Sequence, residues 1–349
     1  MKIDSITIDK NSPCFIIAEL SANHNGNLET ALETVRAAKR AGADCIKLQT
    51  YTADTITIDS NKEDFIIKGT IWEGKNLYQL YQEAYTPWEW HAEIMRVAQE
   101  EGLVCFSSPF DPTSVDFLET LNVPAYKIAS FEITDIPLIE YVASKGKPVI
   151  VSTGIAELED IELAIDACIR MGNNDIALLK CTSSYPAPIE EANMAMVKDF
   201  AERFGVISGL SDHTMGSTVP VVAACFGAKI IEKHFILDRA IGGPDASFSL
   251  NEEEFTAMVK AVREAESAIG SVDYSLTEKQ LKGRDFSRSL YVVEDIKAGD
   301  VITEKNVRSI RPGFGLHPKF FNEILGQQIT KDCYKGTAFS LNMIKSSLK

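Results

Sequence analysis

The sequence has no run of 18 apolar residues, and this absence excludes a membrane-spanning helix. No apolar stretch long enough for a signal peptide precedes Pro13, so we expect a cytoplasmic protein. A net charge of −15 disfavours nucleic acids and anionic membranes as partners. The seven cysteines include no CxxC pair, and several lie in apolar runs, which predicts buried free thiols: Cys45, Cys105 and Cys225.

The first 270 residues repeat one unit, in which a short apolar run is followed by a polar turn and a helical pattern. The eight runs are nearly continuously apolar, as in parallel strands buried on both faces: 14–20, 45–51, 104–110, 125–130, 148–154, 176–182, 206–213 and 230–237. Eight alternations predict an α/β fold of the (β/α)8 TIM-barrel type. The first turn, 21–27, lacks a dinucleotide fingerprint, which disfavours a doubly wound sheet.

Two segments depart from this repeat. The connection 52–86 is much longer than an ordinary βα loop and is rich in aromatic residues, so it predicts either part of the substrate rim or an insertion with its own small core. Residues 271–285 are polar and predict a linker. Short strand and turn patterns at 289–293, 301–303 and 307–310 then predict a small β-rich domain over 286–349, after a barrel domain over 1–270.

Barrel enzymes place their active sites at the C-terminal ends of the strands, and several of the predicted strands end in ionisable residues. His213 and His234 end consecutive strands, about 4.8 Å apart in such a sheet, and can therefore reach one ion. Glu19 and Asp245 are expected near the same rim. Imidazole and carboxylate ligands with open positions favour an octahedral ion such as Mn²⁺ over a closed structural zinc site.

Other strand ends predict an anion-binding site. Lys47 and Lys127 supply positive charge, and four serines on different strands supply short hydrogen-bond donors: Ser130, Ser152, Ser183 and Ser211. Each serine taken alone could instead cap the helix that follows it. Together the lysines and serines would let an acidic chain bind an anionic substrate.

These motifs resemble the sialic acid synthase family over nearly the whole chain, in order. The matching segments are 18–26, 47–50, 107–110, 127–132, 152–154, 181–186, 210–214, 232–235 and 243–245. The stretch from Arg288 to 313 resembles the family's antifreeze-like (SAF) domain. Within the family, the segments 49–52, 63–69, 84–91 and 314–318 are most similar to the pseudaminic acid synthases. Phe131 stands where sialic acid synthases commonly carry glycine, which is consistent with a different sugar.

The resemblance implies that phosphoenolpyruvate condenses with an N-acetylated amino sugar by C–O cleavage, giving a nine-carbon acidic sugar and phosphate. The sugar would be 2,4-diacetamido-2,4,6-trideoxy-L-altrose, or an N-acetylmannosamine-type sugar if the chain makes N-acetylneuraminate or legionaminate. The implied metal is Mn²⁺, with Mg²⁺ or Co²⁺ as alternatives, and the implied assembly is a domain-exchanged homodimer.

The resemblance also assigns roles to residues. Glu19, Glu132 and Asp245 would be catalytic, His213 and His234 would bind the metal, and Tyr185 and Arg311 would contact the sugar. Phosphoenolpyruvate would be bound by a larger set: Lys47, Gln49, Ser108, Lys127, Ser130, Ser152, Ser183 and Ser211.

Two other functions stay open at this point. A metal-free aldolase would form a Schiff base on a strand-end lysine, of which there are four: Lys47, Lys127, Lys180 and Lys233. A non-catalytic sugar- or ice-binding protein would use the antifreeze-like domain, but it leaves the ring of ionisable strand ends unexplained.

Overall fold

The computed structural model describes residues 1–345. The chain forms two compact units, and the boundary between them in the sequence falls between Gly270 and Ser271. Each unit has its own apolar core. Within the described residues no helix is long and apolar enough to cross a bilayer. The last four residues of the predicted second domain, 346–349, lie outside the description.

The first unit is a closed barrel of eight parallel strands, in which each strand pairs with its sequence neighbours and the last pairs with the first. A short hairpin, β1 (Lys2–Ile3) and β2 (Ile6–Thr7), precedes it. The barrel strands are β3 (Phe15–Glu19), β4 (Cys45–Thr50), β5 (Val104–Pro109), β6 (Tyr126–Ile128), β7 (Val149–Ser152), β8 (Ile176–Cys181), β9 (Ile207–Asp212) and β10 (Ile230–His234). The predicted TIM barrel is confirmed.

Helices surround this barrel and are specified locally by caps and apolar faces. Asn251 caps the last of them, in a reciprocal capping box with Glu254, and Phe255, Met258 and Val262 face the core. The helices are α1 (Leu28–Arg40), α2 (Ala53–Ile56), α3 (Leu77–Ala84), α4 (His91–Glu100), α5 (Pro112–Thr120), α6 (Ile136–Ala143), α7 (Leu158–Arg170), α8 (Ala195–Phe204), α9 (Thr218–Cys225) and α10 (Glu252–Ile269).

The expectation of buried cysteines is wrong at one position. Six cysteines are buried, but Cys225 at the end of α9 is exposed. Because α9 is apolar on nearly all sides, its sequence does not define which face packs against the barrel. An apolar run therefore did not predict burial at this position.

The second unit contains α11 (Glu278–Gly283), an antiparallel pair formed by β11 (Ser289–Val292) and β12 (Val307–Ile310), and α12 (Phe321–Ile324). Residues 271–285 are thus not wholly irregular, because a capping box between Thr277 and Gln280 begins α11. The strand predicted at 301–303 is reduced to a single bridge between Val301 and Gln328.

Candidate active site

A cavity of about 1000 Å³, including its mouth, opens at the C-terminal ends of the barrel strands. In-register pairing explains why distant residues meet there, since His234 lies opposite Glu19, which lies opposite Lys47 on the next strand. The predicted site residues that line the cavity are Glu19, Lys47, Gln49, Lys127, Ser130, Glu132, Ser152, Tyr185, Ser211, His213, His234 and Asp245.

The base of the cavity is a buried network of charges, which we call the polar floor: Glu19, Lys47, Lys127, Ser211 and Glu232. Lys47 pairs with Glu19, and its Nζ lies 3.7 Å from Glu232 Oε1. Lys127 Nζ lies 3.3 Å from the same Glu232 oxygen, to which the Ser211 hydroxyl donates at 3.1 Å. Both ammonium groups are therefore held next to the same carboxylate. They are almost completely buried, since Lys47 is 3% exposed and Lys127 is 2% exposed.

Burial changes the protonation of these carboxyl groups. Burial raises the pKa of Glu19 to about 7, although Lys47 opposes the shift. Glu232 is equally buried, but the adjacent Lys127 and Lys47 outweigh burial and hold its pKa below the ordinary value. The floor therefore keeps Glu232 ionised as the counter-ion of both lysines and leaves Glu19 able to exchange a proton near neutral pH.

Glu132 also lines the cavity, from the 3-10 turn after β6. Burial raises its pKa to about 7 as well, with Lys127 opposing the shift. A carboxyl group with this pKa can give or take a proton near neutral pH, as general acid–base catalysis requires.

Several buried polar atoms that face the cavity have no hydrogen-bond partner within residues 1–345. They are Glu132 Oε2, Ser152 Oγ, Glu232 Oε2 and His234 Nδ1. Buried polar groups in folded proteins are nearly always paired, so a cluster of unpaired ones at a cavity indicates a polar ligand.

The two histidines stand together beside the floor, with ring centres 5.2 Å apart. His213 Nδ1 lies 3.2 Å from the Thr182 carbonyl oxygen, so this nitrogen carries the proton of the neutral ring, in which Nε2 has the free lone pair. His234 Nδ1 has no hydrogen-bond partner in the described part of the chain and lies 3.7 Å from Asp245 Oδ2. Burial and the neighbouring His213 hold the pKa of His234 far below its usual value, so its imidazole is neutral.

These residues fit a divalent metal with open coordination positions. In the part of the chain that the structure describes, no group of three or more His, Cys, Asp or Glu side chains forms a complete metal cage. What the site offers is the neutral imidazole of His234, the imidazole of His213, whose neighbour Cys181 raises its pKa against the opposing effect of burial, and one nearby carboxylate. A metal bound there would displace any proton from the His213 ring and leave its other positions to water and substrate.

Three predicted residues lie outside the cavity lining. Ser108 is buried behind it and accepts a hydrogen bond from Lys47 Nζ at 3.2 Å, so it orients the lysine. The Ser183 hydroxyl lies 3.8 Å from the Sγ atom of Cys181, a residue that lines the cavity. Arg311 belongs to the second unit, next to β12.

Other lining residues had no assigned role in the sequence. Glu232 lies in the matching segment 232–235, but its pairing with both lysines depends on side-chain geometry that sequence spacing does not encode. Phe248 packs against both histidines, with ring centres 5.0 Å from His234 and 6.1 Å from His213. It follows no strand, so no periodic signal could have identified it.

Comparisons with known proteins find relatives of this chain over nearly its whole length. The NeuB family profile matches residues 34–274, and the SAF domain profile matches residues 287–345. The pseudaminic acid synthase of Campylobacter jejuni is 51% identical over 97% of this chain and 98% of its own length. That of Helicobacter pylori is 48% identical over 96% and 99%. The solved N-acetylneuraminic acid (sialic acid) synthetase of Leptospira borgpetersenii, in complex with citrate, is 29% identical, with a TM-score of 0.73 over 81% of this chain and 94% of that one. The resemblance found in the motifs is confirmed, and the chain belongs to the NeuB family.

Proposed function

We propose that this chain is a pseudaminic acid synthase. It joins phosphoenolpyruvate, 2,4-diacetamido-2,4,6-trideoxy-L-altrose and water into pseudaminic acid and phosphate. Identities of 51% and 48% to pseudaminic acid synthases over nearly full length support the sugar. The observation that carries the reaction class is the polar floor, where two buried ammonium groups lie beside the paired imidazoles.

The floor and the serines would bind phosphoenolpyruvate. Lys47 and Lys127 would face its phosphate and carboxylate oxygens, and the hydroxyl groups of Ser130, Ser152 and Ser211 would donate to the same oxygens. The Gln49 amide, which donates to Glu19 at 3.1 Å, would orient that carboxyl group. Ser108 would orient Lys47, and Ser183 would support the cavity lining through its contact with Cys181. Anchoring both ends of this anion directs its methylene carbon toward the second substrate.

On the sugar side, Tyr185 and Glu132 would act next to the aldehyde. A divalent ion on His213 and His234, which we propose to be Mn²⁺ with Mg²⁺ or Co²⁺ as alternatives, would supply Lewis acidity toward the aldehyde oxygen. Glu132 would deliver the proton that this oxygen needs as the carbon–carbon bond forms. Glu19 or Asp245 would orient the water that adds at C2 before phosphate leaves with the bridging oxygen.

The decisive experiment supplies phosphoenolpyruvate labelled with ¹⁸O at its bridging oxygen together with the diacetamido sugar. We expect a nine-carbon acid by mass spectrometry and the label in the released phosphate. EDTA should abolish turnover, Mn²⁺ should restore it, and calorimetry should detect Mn²⁺ binding to the wild type but not to His213→Ala. Absence of phosphate release would refute the reaction.

The Schiff-base alternative is tested in the same mixture. Of the four candidate lysines, Lys47 and Lys127 line the cavity, whereas Lys180 Nζ donates to the Cys181 carbonyl and Lys233 pairs with Asp212. Irreversible attachment of sugar to the protein by borohydride would support that alternative, and its absence would support direct condensation.

We propose further that residues 1–270 are catalytic, that residues 286–349 form the SAF domain, and that two chains exchange these domains in a cytoplasmic homodimer. Arg311 would then reach the sugar of the partner's barrel. Co-expression of Arg311→Ala with His213→Ala tests this, because a mixed dimer would hold one intact site. Random pairing should restore about a quarter of wild-type activity. Lack of restoration would refute the exchange.

A further inference from the structure

The long connection 52–86 presents an unusual surface to the cavity. It carries nine charged residues, yet none of them lines the cavity. The side chains that do line it are apolar or aromatic, and we call them the apolar wall: Ile56, Trp72, Leu80, Tyr81 and Ala84. The connection therefore keeps its charged residues away from the cavity and presents only apolar or aromatic side chains to it, although other apolar residues of the connection, such as Ile58, are exposed.

The apolar wall is fixed to the barrel rim. The Trp72 indole N–H donates to the Pro244 carbonyl at 3.0 Å, so this polar group is already paired. At the end of the connection, the Thr86 hydroxyl lies 3.2 Å from His24 Nε2 in a buried contact. Tyr81 packs edge-on against Tyr51, with ring centres 5.6 Å apart. These contacts hold the wall as a preformed surface.

The apolar wall and the polar floor favour ligand groups of different polarity. The floor, with its two lysines, suits a small polyanion. The wall has the Tyr81 hydroxyl as its main remaining polar group, so a substrate hydroxyl placed against Ile56, Leu80 or Ala84 would lose water without gaining a partner. A methyl group placed there would instead gain from burial.

We propose that the apolar wall determines sugar specificity, by binding the deoxy carbon and the acyl methyl groups of the second substrate and excluding sugars with hydroxyl groups at those positions. This inference rests on the proposed function. The polar floor would bind phosphoenolpyruvate, and the apolar wall would select the sugar that reacts with it. Because an apolar surface rejects an added hydroxyl only moderately, we expect a preference of roughly tenfold to a hundredfold.

The test compares two sugars that differ only at C6, one with a methyl group and one with a hydroxymethyl group, each with saturating phosphoenolpyruvate. Wild type should show the higher kcat/KM with the 6-deoxy sugar. Ile56→Asn should lower this ratio by about tenfold and leave the KM for phosphoenolpyruvate unchanged, whereas Ile56→Val should retain the ratio. Ala84→Ser, a smaller change, keeps the test decisive if Ile56→Asn lowers the thermal unfolding midpoint.

Ile58 provides the matched control, because it lies in the same connection, is 61% exposed and does not line the cavity. Ile58→Asn should keep both the ratio and the KM of the wild type. Equal kcat/KM for the two sugars in the wild type, or equal losses for both in Ile56→Asn and Ala84→Ser, would overturn the inference. Failure of both sugars to release phosphate would instead overturn the proposed function.

Discussion

Glu132 places a carboxyl group in a setting that favours its neutral form, because burial raises its pKa to about 7 from an ordinary value of 4.5. Its Oε2 has no hydrogen-bond partner among residues 1–345. Since the folded state binds this proton more tightly than the unfolded state, stability decreases as pH rises from about 4.5 to about 7, and the full penalty persists above that. Such a residue lowers stability and is retained for function.

Glu132→Gln should therefore stabilise the protein while inactivating it. At pH 8 we expect a gain of about 1–3 kcal/mol in the free energy of unfolding, because the amide carries no charge to desolvate. At pH 5 the gain should nearly vanish, and kcat should fall at least about a hundredfold. Urea titrations at the two pH values measure the gain. Equal stability of variant and wild type at pH 8 would mean that the carboxylate is well solvated.

Lys127 in β6 and Lys180 in β8 are two lysines near the C-terminal ends of barrel strands, and they allow a matched comparison. Lys127 is 2% exposed and lines the cavity, whereas Lys180 is outside the lining. Loss of a buried charged hydrogen-bond donor costs about 2–3 kcal/mol, so Lys127→Met should raise the KM for phosphoenolpyruvate roughly a hundredfold. Lys180→Met should leave it within about twofold. Steady-state kinetics decide, and equal effects would contradict the assigned role of Lys127.

At the scale of elements, the ends of β9 and β10 are tied by a buried ion pair between Asp212 and Lys233, and Lys233 also donates to the Thr214 carbonyl. Each partner is the immediate neighbour of one of the two histidines. The pair lies outside the cavity lining, so it acts through the backbone that carries His213 and His234.

Breaking this pair should loosen the histidines. Asp212→Asn leaves the buried Lys233 without its counter-ion, so we expect a loss of about 3–5 kcal/mol in stability and a tenfold to hundredfold weaker Mn²⁺ affinity by calorimetry. Asp212→Asn combined with Lys233→Met removes both charges and should recover stability but not metal affinity. The exposed pair of Asp199 and Arg203 serves as control, and Asp199→Asn should change neither quantity. Wild-type affinity in both Asp212 variants would exclude a positioning role.

The elements also show what the sequence could predict. Continuous apolar runs that end in polar residues are local signals, and the parallel barrel brings those ends to one rim. Most polar side chains of the lining were therefore predictable. The face of the connection 52–86 that lines the cavity was not predictable, because α2 and α3 are too short for their sequence pattern to show whether their apolar side lines the cavity or packs within an insertion. The partner choice of Glu232 likewise depends on side-chain geometry across the barrel.

At the scale of the whole molecule, the net charge of −15 repels the polyanionic substrate that the chain is proposed to bind. Two length scales resolve this conflict. The attraction from Lys47 and Lys127 acts over a few ångströms in a buried site, where salt screens little, whereas repulsion from the acidic surface acts over distances beyond the Debye length of about 8–10 Å at physiological salt. Salt should therefore weaken the repulsion more than the attraction.

We accordingly expect kcat/KM for phosphoenolpyruvate to rise severalfold between about 10 mM and 150 mM salt, because screening removes the unfavourable long-range field that slows the anion's approach. The uncharged sugar provides the control within the same enzyme, since its kcat/KM at saturating phosphoenolpyruvate should stay flat over this range. Steady-state kinetics in a salt that does not bind the metal measure both. A fall in kcat/KM for phosphoenolpyruvate would mean that the lysines extend an attractive field beyond the cavity and dominate the approach.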